Sequence, residues 1–246
     1  MNPTFPDMPR PAPSPLLAGR WHPFDHHAHC CQRLAQVMAS QLSRRLKQQP
    51  RASLVLSGGS TPAPLFDRLA TYELPWDRVD TTLADDRWVA PDSPDSNLHL
   101  LRTHLLQGPA SATHLIPLVG EEAGPEQGQA ACERRLQEMK WPIDLLLLGM
   151  GNDGHTASLF PGSPGLDAAM ALDRTQRCWA MRAPSAPQQR ISLGLAPLAG
   201  AADIFLLLKG EEKYQTLTRA LASQDPVQMP ICALLSLPQL QVWWSP

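Results

Sequence analysis

An α/β fold with a doubly wound, mostly parallel sheet, helices on both faces and a single domain is predicted by three features of the sequence. Short strand-like runs recur along the chain at Ala52–Ser57, Val79–Ala84, Ile143–Leu148 and Asp203–Leu208. The two leucine-rich runs are too brief for helices and read as strands buried on both faces. Amphipathic stretches separate the runs, and alternation of strand and helix is the pattern of a parallel sheet. Glycine loops stand directly after two of the runs, where open α/β sheets bind ligands.

The elements follow in order. Residues 1–20 read as an extended, flexible tail, because Pro3, Pro6, Pro9, Pro11, Pro13 and Pro15 crowd its first 15 positions. The α/β domain then takes residues 21–246, with no internal repeat and no internal boundary. Asp25 is placed to cap a helix whose Leu34, Val37, Met38, Leu42 and Leu46 share one face, ending before Pro50. His26, His27, His29 and Cys30 in its first turns read as solvated residues; His26 and Cys30 have metal spacing but no further ligands.

After the strand Ala52–Ser57 come Ser57, Gly58, Gly59, Ser60 and Thr61, then Pro62 at a helix start. Free amides and hydroxyls at such a start suit a phosphate. No P-loop lysine and no G-x-S-x-G elbow is present, so Ser60 is a poor nucleophile candidate. The Val79–Ala84 strand runs into Asp85-Asp86-Arg87-Trp88-Val89, and a helix is expected over Leu98–Leu106. His114–Val119 reads as a short strand, and Pro125 opens a helix through Leu136 and Met139.

The stretch Ile143 to Gly162 is the most informative. A buried strand leads into Gly149, Gly151 and Gly154, and His155-Thr156-Ala157-Ser158 starts a short helix that Pro161 ends. Gly149-x-Gly151-x-x-Gly154 satisfies the dinucleotide fingerprint, but the long helix and the acidic second strand are missing. The loop instead presents Asn152, Asp153 and His155. Cys178–Arg182 and Arg190–Gly194 read as strands flanking a proline loop, Gly210 opens a helix to about Ala222, and Leu240–Trp244 closes the sheet.

Composition bounds the function. A net charge of -2 offers no basic field for nucleic acid or an acidic membrane. Five cysteines, two of them adjacent and none in C-x-x-C, suit reduced thiols in the cytoplasm. No apolar run approaches 18 residues.

Ser57-Gly-Gly-Ser-Thr-Pro62, Asp85-Asp-Arg-Trp-Val89 with Asp95-Ser-Asn97, and Gly149 to Gly162 resemble the 6-phosphogluconolactonases, as do Arg190-Ile-Ser-Leu193 and Gly210-x-x-Lys213. The resemblance runs from about Trp21 to Trp244. It implies hydrolysis of 6-phospho-D-glucono-1,5-lactone in the oxidative pentose phosphate pathway, a fold shared with glucosamine-6-phosphate deaminases, and no metal or other cofactor. Lactone opening by water needs a base, oxyanion donors and a phosphate anchor. His155 fits the base, with Asp153 orienting it or binding a sugar hydroxyl. Amides of the Gly149–Gly154 loop, with Gly151, Asn152 and Gly154 in the site, fit the oxyanion or a substrate oxygen. Arg87, Arg190, Lys213 and the Ser57–Thr61 loop are the phosphate candidates, with Asp85 and Asn97 beside them.

Many relatives carry a lysine before the Arg190 strand, where this chain has Pro184 to Gln189; Lys209 stands where a small residue is commoner. Two alternatives are a glucosamine-6-phosphate deaminase-isomerase and a non-catalytic sugar-phosphate-binding module. Against the first, Ser158-Leu159-Phe160 stands where the deaminases carry Asn-Glu-Pro; against the second, no segment here offers the helix-turn-helix to which sensors of this fold are typically fused, nor a basic face. The expected partner is a small sugar-phosphate lactone, with no nucleic acid or membrane, and a monomer is favoured.

Overall fold

The computed structural model describes residues 10–184 and 187–246. Seven parallel strands form the main sheet in the spatial order β1 (Trp21–Pro23), β10 (Leu240–Ser245), β9 (Asp203–Lys209), β6 (Leu145–Leu148), β2 (Ala52–Leu56), β3 (Val79–Leu83) and β5 (His114–Leu115). Every residue of β2, β3 and β6 is buried, as expected of strands covered on both faces. The covering helices are α1 (His27–Gln48), α2 (Ala63–Leu69), α3 (Asn97–His104), α4 (Pro125–Leu136), α5 (Leu166–Ala169), α6 (Leu195–Ala199), α7 (Glu211–Ser223) and α8 (Cys232–Leu235).

The order of the strands fixes where a ligand sits. From β2 the chain steps outward through β3 to β5, then returns across β2 to β6 and steps the other way to β9 and β10. The winding reverses between β2 and β6, so a crevice opens at their carboxyl ends. At the amino ends, buried carboxylates lock the sheet instead. Asp144 accepts from Ser53 N and Gln49 Nε2 at 2.9 Å and from Lys140 Nζ at 2.7 Å. Asp80, on β3, pairs with Arg51 at 2.6 Å and accepts the Lys140 amide at 2.9 Å. Burial of such groups is tolerated because each is paired and hydrogen-bonded.

The chain departs from the expected layout in five places. The strand Leu240–Ser245 does not close the sheet: it is flanked by β1, three residues whose Trp-His-Pro sequence carries no alternation to announce a strand. Cys178–Arg182 (β7) and Gln189–Leu193 (β8) leave the main sheet and join β4 (Asp85–Arg87) in a small antiparallel sheet ordered β4-β8-β7. No helix follows His155; Thr156 and Leu159 form an isolated bridge around Ala157, whose φ is 48°. Residues 10–20 of the expected tail are packed, with Leu17 fully buried and Arg10 3.8 Å over the Tyr214 ring. Arg20 Nη1 fastens the segment by donating to the carbonyls of Leu237 at 2.6 Å and Leu240 at 3.1 Å. Residues 1–9, with Pro3, Pro6 and Pro9, lie outside the described residues, as do Ser185 and Ala186 of the proline loop.

The start of α1 is the fifth departure: its cap is His26 rather than Asp25. Cys30 is fully buried on the inner face while His26 is exposed, so the two do not share solvent or a metal. Among the described residues no three His, Cys, Asp or Glu side chains are grouped to hold a metal ion, and all five cysteines are free thiols. Among the same residues no helix is long and apolar enough to cross a membrane.

Candidate active site

Three walls meet above the carboxyl ends of β2 and β6. The first is Ser57–Pro62, between β2 and α2. The Ser57 amide donates to Leu147 O at 3.0 Å, so this loop leaves the sheet level with the end of β6. Gly58 is required by its neighbour: a Cβ there would lie 1.8 Å from Asn97 Oδ1. Asn97 is held in turn by donating from Nδ2 to Asp85 O at 2.9 Å. Ser57 Oγ is buried without a protein partner.

The second wall is the small antiparallel sheet. Arg87 on β4 is paired with Arg190 on β8, and Asp85 with Ser192. Like charges directly opposite across strands repel, so this pairing costs stability unless an anion sits between them. Arg190 is only 9% exposed, and its nearest carboxylate is Asp85 Oδ2 at 3.7 Å. Burial lowers the guanidinium's pKa, with Asp85 opposing and Arg87 adding to the shift. Both Arg87 Nε and Arg190 Nε are buried without a protein partner. Buried donors left unpaired in this way call for a ligand oxygen.

Asp86, between them, is a further residue of the site, and nothing local in the sequence separates it from Asp85. Its Oδ1 accepts the amides of Asn97 at 2.7 Å and Arg87 at 2.8 Å, and its Oδ2 accepts Leu98 N at 3.2 Å. It therefore ties β4 to the start of α3 and fixes Arg87 and Asn97 together. Burial pushes its carboxyl up to about 6 despite these bonds, with the charge of Asp85 adding.

The third wall, the loop from Gly149 to His155, carries the dyad. His155 Nδ1 lies 2.6 Å from Asp153 Oδ1, and the imidazole rests on Phe160 with ring centroids 4.0 Å apart. A carboxylate accepts, so Nδ1 carries the proton and Nε2 keeps its lone pair. Burial alone would raise the Asp153 carboxyl, but hydrogen bonds from the His155 ring and amide bring it below its ordinary value. Gly151 makes room for this pair: a Cβ there would meet His155 Nδ1 and Cε1 at 2.1 Å. Gly151→Ala must therefore displace the imidazole. We expect a kcat loss of about 10²-fold with the unfolding temperature little changed; unchanged kcat would show that this contact does not hold His155.

A cavity of about 370 Å³ lies between the three walls, within the size range of small-molecule sites. Of the residues expected in the site, Ser57, Gly58, Gly59, Ser60, Thr61, Asp85, Arg87, Asn97, Gly151, His155, Arg190 and Lys213 line it. Asp153, Asn152 and Gly154 do not. Asp153 stands behind His155. Asn152 is turned to α7, donating to Glu212 Oε1 at 2.6 Å and accepting from Lys213 Nζ. Gly154 packs against the Met229 side chain. The loop's amides are also less available than expected, since Gly151 N donates to His155 O at 2.8 Å and Gly154 N to Gly151 O at 3.1 Å. Burial lowers the Lys213 pKa, opposed by Glu212 and Asp153. Lys209 also lines the cavity, which gives it four cations, with Arg87, Arg190 and Lys213, against one carboxylate, Asp85. In a chain of net charge -2, this local excess suits an anionic ligand.

Comparisons with known proteins agree along nearly the whole chain. The family model described as glucosamine-6-phosphate isomerases/6-phosphogluconolactonase matches residues 25–244. A 6-phosphogluconolactonase of Pseudomonas aeruginosa is 45% identical over 213 residues, covering 87% of this chain and 89% of that protein. One of Rhizobium meliloti is 33% identical over 232 residues, 94% of this chain and 100% of that protein. The crystal structure of a 6-phosphogluconolactonase from Shewanella baltica superposes with a TM-score of 0.89 at 38% identity, over 92% of this chain and 97% of that one.

Proposed function

Since the chain belongs to the glucosamine-6-phosphate isomerase/6-phosphogluconolactonase family, we propose that His155 is the general base of its reaction and that the cations around it anchor the substrate's phosphate. The protein is an enzyme: it hydrolyses 6-phospho-D-glucono-1,5-lactone to 6-phospho-D-gluconate in the pentose phosphate pathway.

The observation that carries the mechanism is the His155–Asp153 pair, whose ring lines a cavity holding the unpartnered donors Ser57 Oγ, Arg87 Nε and Arg190 Nε. Nε2 of His155 takes a proton from water as the water oxygen bonds to the lactone carbonyl carbon. Asp153 stabilises the resulting imidazolium and keeps the ring in place. The carbonyl oxygen gains negative charge, which the cavity's cations and hydrogen-bond donors stabilise. The bond from the former carbonyl carbon to the ring oxygen then breaks, and Nε2 returns its proton to that oxygen, leaving a hydroxyl and a carboxylic acid that ionises. Arg190, Lys213, Arg87 and the Ser57–Thr61 loop take the phosphate, by charge-assisted hydrogen bonds.

The deaminase alternative lacks its acid in this fold. Ser158 donates its hydroxyl to Asp85, Leu159 is fully buried and Phe160 lies under His155, so no carboxylate projects from that segment. Purified protein should accelerate lactone opening above the spontaneous rate and release no ammonia from glucosamine 6-phosphate; ammonia release without lactone hydrolysis would reverse the assignment. Activity should also be unchanged in EDTA, because among the described residues no metal-ligand cluster forms. Loss in EDTA with rescue by zinc would refute this. The five free thiols support a reducing compartment such as the cytoplasm, and the net charge of -2 supports an enzyme without nucleic-acid or acidic-membrane partners.

A further inference from the structure

His27 opens α1, and its side chain joins two distant parts of the chain. Nε2 lies 2.8 Å from the carbonyl oxygen of Thr61, and Nδ1 lies 3.0 Å from Oγ of Ser245. A carbonyl can only accept, so Nε2 carries the proton and Nδ1 accepts from the Ser245 hydroxyl. Ser245 is the fully buried last residue of β10, and its carbonyl receives the Gly210 amide at 2.8 Å. It is a rigid post at the carboxyl edge of the sheet. Thr61 is the last residue of the glycine loop before Pro62, and His27 supplies the donor to its carbonyl.

The surroundings keep the ring in this one-donor form. Burial lowers its pKa, the Thr61 bond opposes, and the charge of Lys209 lowers it further. Cys31, one turn on, places Sγ 3.3 Å from Nε2 and closes that side. Burial pushes its thiol up to about 11, so it stays neutral. His27 itself does not line the cavity, so it can reach a ligand only through the loop.

We propose that His27 is a positioning residue for phosphate recognition: it fixes the Thr61 carbonyl, and with it the orientation of the Ser57–Thr61 hydroxyls and amides that face the anion. The inference rests on the reading that this loop takes the phosphate. Because the loop's glycines leave its backbone little constrained locally, a tether from outside the loop is what sets its conformation.

The test is the ratio of kcat/KM for the phosphorylated lactone to that for unphosphorylated glucono-1,5-lactone, which does not depend on the fraction of protein folded. His27→Ala should lower the ratio about two- to tenfold, chiefly through KM for the phosphorylated substrate. His27→Gln, whose amide nitrogen can stand at the Nε2 position, should restore most of it. His27→Asn places its donor at the Nδ1 position and should behave like alanine, which keeps the test open if His27→Ala does not fold. Ser57→Ala, on the loop itself, is measured alongside. If Ser57→Ala lowers the ratio and no His27 variant does, or if Asn and Gln behave alike, the positioning role is wrong while the loop keeps its ligand. If neither Ser57→Ala nor the His27 variants change the ratio, the loop does not bind the phosphate and the proposal falls with it.

Discussion

His155→Asn should lower kcat for lactone hydrolysis by about 10²- to 10⁴-fold, the usual contribution of a positioned general base. KM should change little, because the cations proposed to hold the substrate are on other elements: Arg190 on β8, Lys213 on α7 and Arg87 on β4. Asparagine keeps a donor toward Asp153, but its carboxamide is too weakly basic to take a proton from water, which separates chemistry from packing on Phe160. Asp153 stays a carboxylate acceptor for the wild-type ring, since its hydrogen bonds from His155 keep its carboxyl below the ordinary value against the effect of burial. Lactones open unaided in water, so the spontaneous rate at each pH is subtracted first. Near wild-type kcat in His155→Asn would move the base elsewhere, and Asp153 would be the next residue to test.

Arg190→Ala should cost the phosphorylated substrate about 10- to 100-fold in kcat/KM, the effect of losing a charge-assisted hydrogen bond from a desolvated site. Unphosphorylated glucono-1,5-lactone should lose far less, because it offers no dianion to the guanidinium. The variant also removes the charge 3.7 Å from buried Asp85, and breaking such a pair destabilises the fold. Comparing the two substrates on the same preparation cancels that loss. Equal losses on both would assign Arg190 to structure rather than to the phosphate.

Much of this site is legible in the sequence because its loops follow strands whose pattern is local. Leu145–Leu148 and Asp203–Lys209 announce themselves as short apolar runs, and the glycines after Leu148 mark the place where backbone and imidazole come close. What was not legible depends on partners far away in the chain. Asn152 sits in the richest motif yet is turned from the cavity by Glu212 and Lys213, 60 and 61 residues on. His27 reads as a solvated first-turn histidine until Thr61 and Ser245 close around it, 34 and 218 residues away. The turn at Ala157 is a different case: alanine favours helix, and the left-handed φ of 48° is imposed by the bridge between Thr156 and Leu159. The antiparallel sheet was hidden for the same reason as His27. Gln189–Leu193 looks like any buried strand, and only its pairing with Asp85–Arg87 sets two arginines face to face.

In the proposed mechanism Asp153 fixes the proton on Nδ1 of His155, so that Nε2 is free to accept one from water. The ¹⁵N spectrum of the histidine side chains reads this directly, with the His155 signals assigned by their absence from His155→Asn. At a pH where the ring is neutral, the expected result is a protonated Nδ1 and an unprotonated Nε2 in the free enzyme. A neutral ring with its proton on Nε2 would contradict the account, because that nitrogen would then have no lone pair with which to begin the reaction.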